Sequence, residues 1–215
     1  MRVAAIQMRS TARPLDNVAA MRNMVTQAAA TGAHYVQTPE MTGLIQKDPK
    51  SLFATISTQD HDPIFAEAAK LATELKIWLH IGSTPIDLEN GKAANRAGLF
   101  SPNGQLTATY DKIHMFDVDL DNGETWRESA VYTPGSRCLV AEVSDAVLGF
   151  GICYDLRFPQ LFRNQSLLGA HILTVPAAFT RQTGEAHWHT LLRARAIENG
   201  AFVIASAQGG LHEDG

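Results

Sequence analysis

The sequence predicts a layered α/β fold, and three observations favour this class. Short runs rich in Val, Ile and aromatic residues alternate with longer runs rich in Ala, Leu, Glu and Arg, as in folds that stack helices on sheets. Prolines and glycines lie where the helix-like runs begin and end. The 215 residues show no fixed-period repeat, low-complexity segment or linker-like stretch. We therefore expect one domain over residues 1–215, long enough to bury roughly 70% of its unfolded surface.

The first half of the chain predicts alternating strands and helices, followed by a hairpin. The run RVAAIQM indicates a strand, and PLDNVAAMRNMVTQAAATG indicates a helix that Pro14 begins and Gly32 ends. A second strand, AHYVQT, precedes a loop and a helix around DPIFAEAAKLATELK, and IWLHIGS has the period-2 pattern of a strand. The segment RAGLFSPNGQLTATYDK predicts a hairpin, because Pro102, Asn103 and Gly104 favour a turn between strand-like flanks.

The second half opens with a long connection, IHMFDVDLDNGETWRESAVYTPGSR, which has no sustained period. Connections of this length are usually functional or disordered, and its aromatic content favours a functional one. Two strands, CLVAEV and VLGFGICY, then precede a helix, FPQLFRNQSLLGA, and a strand, HILTVPAAF. A helix over AHWHTLLRARAIENG ends at Gly200, and AFVIASA indicates a last strand.

Composition and charge exclude several classes of protein. Apolar residues make up 45% of the chain, charged residues 19%, and the net charge is -4, so neither a disordered tail nor a basic nucleic-acid-binding face is predicted. The amino terminus, MRVAAIQMRS, lacks the apolar region of a secretory signal, and no run approaches the ~20 apolar residues that span a bilayer. Two cysteines, Cys138 and Cys153, make no disulfide framework. We expect a soluble, cytoplasmic protein that binds neither nucleic acid nor membrane.

Three residues of complementary chemistry follow predicted strands. Glu40 comes just after AHYVQT, Lys112 ends QLTATYDK, and Cys153 lies at the end of VLGFGICY. Sites in open α/β sheets assemble at the carboxyl ends of strands, where rigid strand ends and converging loops form a crevice. We therefore expect Glu40, Lys112 and Cys153 to meet at one edge.

Cys153 lies in the segment GFGICYDLRFP and has two interpretations. Free cysteines are among the most buried residue types, so Cys153 could be a small apolar filler. It also lies at a predicted strand-to-helix turn, where the helix FPQLFRN offers unpaired N–H groups and a positive dipole end. Together with a nearby lysine, these features would favour the reactive thiolate.

Glu40 and Lys112 also have a structural alternative. Glu40 could be a loop carboxylate in water, but the apolar segments HYVQTP and MTGLI around it favour a buried position, as a general base requires. Lys112 could be a surface strand end, but its neighbours IHMFD favour a partly buried ammonium, which would need a carboxylate partner.

Five segments in register carry a family resemblance: TPEM, YDKIHMFD, WRES, GFGICYDLRFP and TGEAHWHTLLRARAIENGAFVIASAQ. They resemble the motifs of the nitrilase (carbon-nitrogen hydrolase) superfamily, and of its Nit-type amidase branch, from the first strand to the last residue. The resemblance implies a four-layer α-β-β-α sandwich, a homodimer and a small-molecule amide substrate. It implies no cofactor and no metal, and no phosphate-binding loop of the G-x-x-x-x-G-K type occurs in the sequence.

The resemblance also assigns catalytic roles. The family's triad falls on Glu40, Lys112 and Cys153, and its second glutamate on Glu128 in WRES. Cys153 would attack the amide, Glu40 would act as base and then as acid, and Lys112 with the backbone N–H of Tyr154 would hold the oxyanion. Glu128 would orient Lys112 or the attacking water.

Histidines offer a competing mechanism, because Cys-His glutaminases also open amides through a thioester. His187 and His189 lie on one predicted helix at positions i and i+2, which point to different faces and cannot form one site. The same spacing disfavours a metal site, for which helical ligands at i and i+4 are better placed. The remaining roles for these histidines are helix packing and lining of a pocket. The resemblance places His187 and Trp188 near the substrate.

Arginines offer an anion-binding group. Arg157 could be a surface residue, a structural partner of Asp155, or, by the resemblance, a bidentate partner for a substrate carboxylate. Arg193 and Arg195 lie near Glu198, which more often indicates a salt-bridged helix than a binding site.

The expected substrate is a small carboxylate-bearing amide that releases ammonia. The motifs are most similar to those of deaminated glutathione amidases and are shared with omega-amidases that act on alpha-ketoglutaramate. A catalytically silent homologue that serves as a binding partner is the alternative from another class.

The sequence departs from the family pattern at two places, and each departure leads to an expectation. Glu185 stands where relatives commonly have Pro, and places a negative charge beside the pocket. The chain stops at GGLHEDG, before the strands and arm that follow in the family. If this is the whole protein, we expect exposed apolar edges and low stability.

Overall fold

Two β-sheets form the centre of the fold in the computed structural model, which describes residues 1–119, 123 and 125–213. The strands in chain order are β1 (Val3–Ala5), β2 (Tyr35–Gln37), β3 (Trp78–Asp87), β4 (Ala93–Phe100), β5 (Leu106–Asp111), β6 (Asp117–Asp119), β7 (Thr125–Arg127), β8 (Val140–Val143), β9 (Ala146–Phe150), β10 (Ile172–Thr174) and β11 (Phe202–Ile204). The first sheet has the order β1-β2-β3-β4-β5 and the second β11-β10-β9-β8. Strands β6 and β7 pair as a separate antiparallel hairpin.

The strand directions bring functional strand ends to one side of the molecule. In the first sheet β1, β2 and β3 run parallel, β4 is antiparallel to β3, and β5 is antiparallel to β4 and so runs in the direction of β1–β3. In the second sheet β9, β10 and β11 run parallel and β8 pairs antiparallel with β9. The carboxyl ends of the parallel strands therefore share an edge in each sheet.

The helices in chain order are α1 (Pro14–Ala30), α2 (Pro49–Phe53), α3 (Pro63–Leu75), α4 (Pro159–Leu167) and α5 (Arg181–Asn199). Single 3₁₀ turns occupy Gln59–His61, Glu128–Ala130 and Cys153–Arg157. Each α-helix except α5 begins with a proline, whose missing N–H and fixed φ suit the first helical position.

Three apolar cores define four layers. Helices α1 and α3 pack on the first sheet through a core that includes Met21, Leu71 and Leu79. The two sheets face each other through a second core, which includes Leu99 and Phe150. Helices α4 and α5 cover the second sheet through a third core with its own buried Leu and Phe side chains. The predicted four-layer α-β-β-α sandwich is therefore confirmed.

Glycines end two of the predicted elements as expected. Gly32 follows α1 with φ +84°, and Gly200 follows α5 with φ +60°, a left-handed conformation that glycine adopts without a Cβ clash. Gly104 has φ +77° in the turn between β4 and β5, where a Cβ would approach the Ala69 carbonyl oxygen to 2.7 Å. The predicted hairpin and helix ends are confirmed.

The segment around Cys153 differs from the prediction. Strand β9 ends at Phe150, a 3₁₀ turn begins at Cys153, and α4 begins only at Pro159. The turn forms because the Asp155 carboxylate accepts the N–H of Ile152 at 2.9 Å, while Cys153 donates its own N–H to the Pro176 carbonyl at 2.9 Å. The N–H groups nearest to Cys153 therefore belong to this turn and not to α4.

Two other boundaries differ. Helix α5 begins at Arg181 and not near Ala186, so it includes the whole segment RQTGEAHWH. The connection over residues 113–137 contains the hairpin of β6 and β7 and the turn Glu128–Ala130, although its sequence has no period. Residues 120–122 and 124 of this predicted connection lie outside the described residues.

Candidate active site

Four side chains converge beside the ends of β2, β5 and β9. Glu40 lies in a turn after β2 and is 3% exposed, Lys112 follows β5 directly and is 2% exposed, and Cys153 is 7% exposed. Glu128 begins a 3₁₀ turn after β7, and its side chain reaches the same place. The prediction that Glu40 and Lys112 are buried is therefore confirmed.

Lys112 is the centre of this cluster. Its Nζ lies 2.9 Å from Oε1 of Glu40, and 2.9 and 3.1 Å from Oε2 and Oε1 of Glu128. A buried ammonium is costly without anionic partners, and here two carboxylates surround one cation. The arrangement fixes the ammonium between the two glutamates.

Asn95 was not identified from the sequence, although it contacts both glutamates. Its Nδ2 donates to Oε1 of Glu40 at 2.9 Å and to Oε1 of Glu128 at 3.2 Å, and Asn95 is completely buried. The only sequence signal is one amide side chain in the otherwise apolar start of AANRAGLF, which forms β4. One ammonium cannot fully compensate two carboxylates, and Asn95 supplies an additional hydrogen-bond donor to both.

Backbone donors complete the binding of both carboxylates. The N–H of Ala178 donates to Oε2 of Glu40 at 2.8 Å, and the N–H of Phe116 donates to Oε2 of Glu128 at 2.6 Å. Hydrogen bonds to an ionised carboxylate are stronger than those between neutral groups. Glu40 is therefore held by a side chain from β4, a lysine after β5 and a backbone group after β10.

The charges around Lys112 keep it protonated. Burial alone would lower the pKa of its ammonium, but the charges of Glu128 and Glu40, with a contribution from Cys153, raise that pKa well above its usual value. Lys112 is therefore a permanent cation and cannot act as a base.

Cys153 is a thiol at rest. Burial and the Glu40 charge raise the pKa of this thiol well above its usual value, and the Lys112 charge offsets only part of the change. The Lys112 charge therefore favours the thiolate, as expected, but burial and the Glu40 charge outweigh it. Because the thiol is within hydrogen-bond reach of the Glu40 carboxylate, its proton has an adjacent acceptor.

The backbone at Cys153 is also unusual. Its φ is +49°, a left-handed conformation that costs energy for a residue with a Cβ. The following residue, Tyr154, lies in the first turn of a 3₁₀ segment, where N–H groups have no partner within the turn. The Tyr154 N–H belongs to the residue directly after Cys153, and its role as an oxyanion donor stays a prediction.

The predicted substrate-binding residues lie together beside Cys153. Nη2 of Arg157 is 3.2 Å from Nδ1 of His187, and the guanidinium lies 5.8 Å from the Tyr154 ring and 5.7 Å from the Phe179 ring. Trp188 packs on Phe179 with 4.9 Å between ring centroids. The cluster is partly open to solvent, since Arg157 and Trp188 are half-buried and His187 is exposed.

Asp155 is not the partner of Arg157, and that structural alternative is wrong. Its carboxylate instead bonds Tyr110 and His114, with the Tyr110 hydroxyl at 2.7 Å and His114 Nδ1 at 2.6 Å. Arg157 therefore does not pair with the Asp155 carboxylate, and its guanidinium lies against His187.

The remaining charged residues of α5 have structural roles. Arg195 is buried, donates to the Leu156 carbonyl at 3.0 Å and binds Glu198 at 2.7 Å, as the salt-bridged helix interpretation predicts. Glu185 accepts a hydrogen bond from Arg181 at 2.8 Å on the exposed first turns of the helix. The charge of Glu185 is therefore balanced by a neighbouring cation.

Within residues 1–119, 123 and 125–213, no group of three or more His, Cys, Asp and Glu side chains is arranged to hold a metal ion. The helices in that part of the chain include none that is both long and apolar enough to cross a membrane. Cys138 and Cys153 are both free.

The geometry is suited to opening a carbonyl compound through a covalent intermediate. A thiol with an adjacent carboxylate acceptor, a fixed ammonium and a free turn N–H supplies a nucleophile, a base and charge stabilisation. The proton acceptor beside the thiol is a glutamate, and no histidine is among the described groups that act on Cys153. Fold and site together are compatible with the class of hydrolases that use a cysteine and a carboxylate.

Comparison with known proteins identifies the family. The family model described as carbon-nitrogen hydrolase matches residues 2–215. The chain therefore belongs to the carbon-nitrogen hydrolase family, which supports hydrolysis of an amide carbon–nitrogen bond as its reaction.

Individual relatives agree with this assignment. The deaminated glutathione amidase of Yersinia enterocolitica is 41% identical over 213 residues, which are 98% of this chain and 74% of the relative. That of Synechocystis sp. (strain PCC 6803 / GT-S) is 39% identical, over 97% of this chain and 78% of the relative. The crystal structure of the C. elegans NitFhit protein superposes with a TM-score of 0.84 at 32% identity, covering 98% of this chain and 52% of that one.

Proposed function

We propose that the chain hydrolyses the amide group of deaminated glutathione through a thioester on Cys153 and releases ammonia. The observation that carries the proposal is the position of the Cys153 thiol beside the Glu40 carboxylate, with Lys112 Nζ 2.9 Å from that carboxylate. The names of the two amidases that are about 40% identical to the chain support the substrate.

The first step forms the carbon–sulfur bond. Glu40 accepts the thiol proton as Sγ of Cys153 attacks the amide carbon, and the carbonyl π electrons move to oxygen. Lys112 and the Tyr154 N–H stabilise this oxyanion, and one such donor is worth roughly 3 to 4 kcal/mol. A thiol with a raised pKa is suited to this step, because the proton leaves only when the adjacent base accepts it.

The second step breaks the carbon–nitrogen bond. The oxyanion collapses to a thioester, Glu40 returns its proton to the departing nitrogen, and ammonia leaves. Water then donates a proton to Glu40 and attacks the thioester. Glu40 returns this proton to the departing sulfur, which restores the Cys153 thiol and releases a carboxylic acid that ionises in water. Glu128 and Asn95 hold Lys112 and Glu40 in place through both half-reactions.

The half-open cluster beside Cys153 is suited to an anionic substrate. Arg157 offers a guanidinium fork to a substrate carboxylate, with His187 3.2 Å away as a further polar group. Trp188 supports this wall through Phe179. A homodimer remains a prediction of the family resemblance, and a cytoplasmic location remains a prediction of the sequence.

Ammonia release from deaminated glutathione and from alpha-ketoglutaramate, measured side by side, tests the proposal. We expect faster turnover of deaminated glutathione, and loss of turnover in Cys153→Ala. Faster turnover of alpha-ketoglutaramate would overturn the substrate, and a folded chain that turns over neither and whose Cys153 resists iodoacetamide would indicate a silent binding homologue.

A further inference from the structure

One buried carboxylate is not among the proposed catalytic residues, but it connects the segment of Lys112 with the segment of Cys153. Asp155 is completely buried, and its Oδ2 accepts the Tyr110 hydroxyl at 2.7 Å and the Ile152 N–H at 2.9 Å. Its Oδ1 accepts the His114 N–H at 3.0 Å and lies 2.6 Å from His114 Nδ1. Four donors thus converge on one side chain, which is more than its local turn requires.

These donors come from the two segments that carry Lys112 and Cys153. Tyr110 and His114 stand two positions before and after Lys112, so Asp155 holds the chain on both sides of the ammonium. Ile152 directly precedes Cys153, and Asp155 belongs to the same 3₁₀ turn as the thiol. One carboxylate therefore ties the end of β5 in the first sheet to the turn after β9 in the second.

A ring contact strengthens the same connection. The His114 imidazole stacks on the Phe158 ring with 3.6 Å between centroids and 9° between planes, and the Phe158 N–H donates to the Asp155 carbonyl at 2.9 Å. His114 is thus held by Asp155 in the 3₁₀ turn that contains Cys153 and by Phe158 directly after that turn.

We propose that Asp155 is a positioning residue that fixes the separation of the Lys112 ammonium and the Cys153 thiol. It does not contact the reacting atoms; it sets where the oxyanion forms relative to its cationic donor. The inference rests on the proposed function in one respect, namely that Lys112 stabilises an oxyanion. Because the two groups come from different sheets, no single strand can fix this separation.

The chemistry of the network explains why a carboxylate is needed. Both oxygens of Asp155 accept two hydrogen bonds, and each oxygen faces at least one N–H donor. An asparagine of the same shape has one accepting oxygen, so in either orientation its NH₂ group would face an N–H donor. Asp155→Asn should therefore loosen the connection while preserving the volume of the side chain.

Two alkylating reagents separate positioning from folding. Acrylamide adds to a thiol by conjugate addition, in which negative charge develops on the amide oxygen, so a correctly placed Lys112 accelerates it. Iodoacetamide reacts by displacement of iodide and needs no oxyanion donor. The ratio of the two rates, measured by intact mass, reports the placement of Lys112 relative to Cys153.

We expect Asp155→Asn to slow acrylamide addition about 10- to 100-fold, the effect of a misplacement of about 1 Å, while iodoacetamide alkylation changes by less than about threefold. In ammonia release, kcat should fall by a similar factor with KM nearly unchanged. Tyr110→Phe, which keeps the ring, should give a smaller decrease of the ratio, and should add nothing in the Asp155→Asn background.

Asp62→Asn is the matched control. Asp62 is also a buried carboxylate at the start of a helical segment, where it accepts the Phe65 N–H at 2.9 Å, but it lies in the outer helix layer. This variant should leave the ratio of rates and kcat at the values of the unsubstituted chain.

A merely structural Asp155 would give equal slowing of both reagents in a chain with a lowered melting temperature, or no change in the ratio. Either result would overturn the proposal, as would full additivity of Asp155→Asn and Tyr110→Phe. The alkylation ratio needs no natural amide. If the unsubstituted chain releases no ammonia but Asp155→Asn selectively loses acrylamide addition, the proposed substrate is wrong and the positioning role of Asp155 is supported.

Discussion

The ammonium nitrogen of Lys112 lies 2.9 Å from a carboxylate oxygen of Glu40, and both side chains are almost completely buried. Glu128 binds the same ammonium from the other side at 2.9 Å. The cluster thus holds two anions and one cation, and the donors of Asn95 and two backbone N–H groups offset the remaining negative charge. The fold brings these charges together from separate segments, and the predictions below depend on them.

Replacement of Lys112 by Met should both destabilise the chain and abolish hydrolysis. The variant leaves two buried carboxylates close together without their cation, and removal of one partner of a buried ion pair costs about 3 to 5 kcal/mol. Urea denaturation at pH 7 measures the loss. A decrease below about 1 kcal/mol would contradict the importance of the buried pairing.

The double variant Lys112→Met with Glu128→Gln separates stability from catalysis. It removes one of the two unpaired carboxylates, so part of the free energy of unfolding should return. Ammonia release should not return, because the cation next to the oxyanion is still missing. Recovery of both quantities together would contradict a catalytic role for Lys112.

Replacement of Glu40 by Gln should lower the pKa of the Cys153 thiol. The Glu40 charge is one of the two main causes that raise this pKa, and burial, the other, remains. The midpoint of the pH dependence of iodoacetamide alkylation should therefore move to lower pH. Hydrolysis should nevertheless fall about 10²- to 10⁴-fold, since the base is lost.

Glu128→Gln is the matched control for this shift. Glu128 binds the same lysine but is not among the groups that raise the pKa of Cys153. Its alkylation midpoint should stay closer to that of the unsubstituted chain. A midpoint that moves upward in Glu40→Gln would contradict the electrostatic account.

The elements of the fold were largely predictable because local signals mark their ends. Pro14 begins α1, Gly200 ends α5, and Gly104 forms the turn of the β4–β5 hairpin. The early end of β9 was not predictable, because the run GFGICY continues to look like a strand. The turn at Cys153 depends on the Asp155 carboxylate and on Pro176, which follows β10.

The site was partly predictable for a similar reason. Glu40, Lys112 and Cys153 follow strands, and the ends of strands are visible in the sequence. Asn95 was missed because it lies inside a strand, and its contacts with Glu40 and Glu128 are tertiary. The resting state of the thiol could not be predicted, since neither its burial nor the charge of Glu40 can be weighed without distances.

Acid should destabilise the chain through His80, which is completely buried in β3 with its Nδ1 2.7 Å from the Tyr35 hydroxyl. Burial lowers the pKa of His80 to about 3, so the folded state keeps it neutral while the unfolded state binds a proton below about pH 6.5. The stability is therefore present above pH 6.5 and is lost as the pH falls towards 3, at up to about 1.4 kcal/mol per pH unit.

Urea denaturation of the unsubstituted chain and of His80→Gln at pH 6.5 and 5 measures this effect. The unsubstituted chain should lose about 2 kcal/mol more than the variant over that interval. Comparison of the two pH dependences removes the contribution of every other titrating group. Equal dependences would show that His80 does not remain neutral in the folded chain.

Replacement of Arg157 by Met should raise KM for an anionic amide about tenfold or more with little change in kcat, since the guanidinium binds a part of the substrate that does not react. Arg157→Lys should restore only part of the affinity, because an ammonium lacks the planar fork. Arg181→Met, on the exposed first turn of α5, should leave KM unchanged. A fall in kcat alone would contradict this role of Arg157.

The most direct test of the account is a mass measurement of the chain quenched in acid during turnover of deaminated glutathione. We predict a covalent adduct with the mass of the substrate minus ammonia, located on the peptide that contains Cys153 and absent from Cys153→Ala. Ammonia release that persists in Cys153→Ala, with no adduct on the unsubstituted chain, would contradict a thioester mechanism at Cys153.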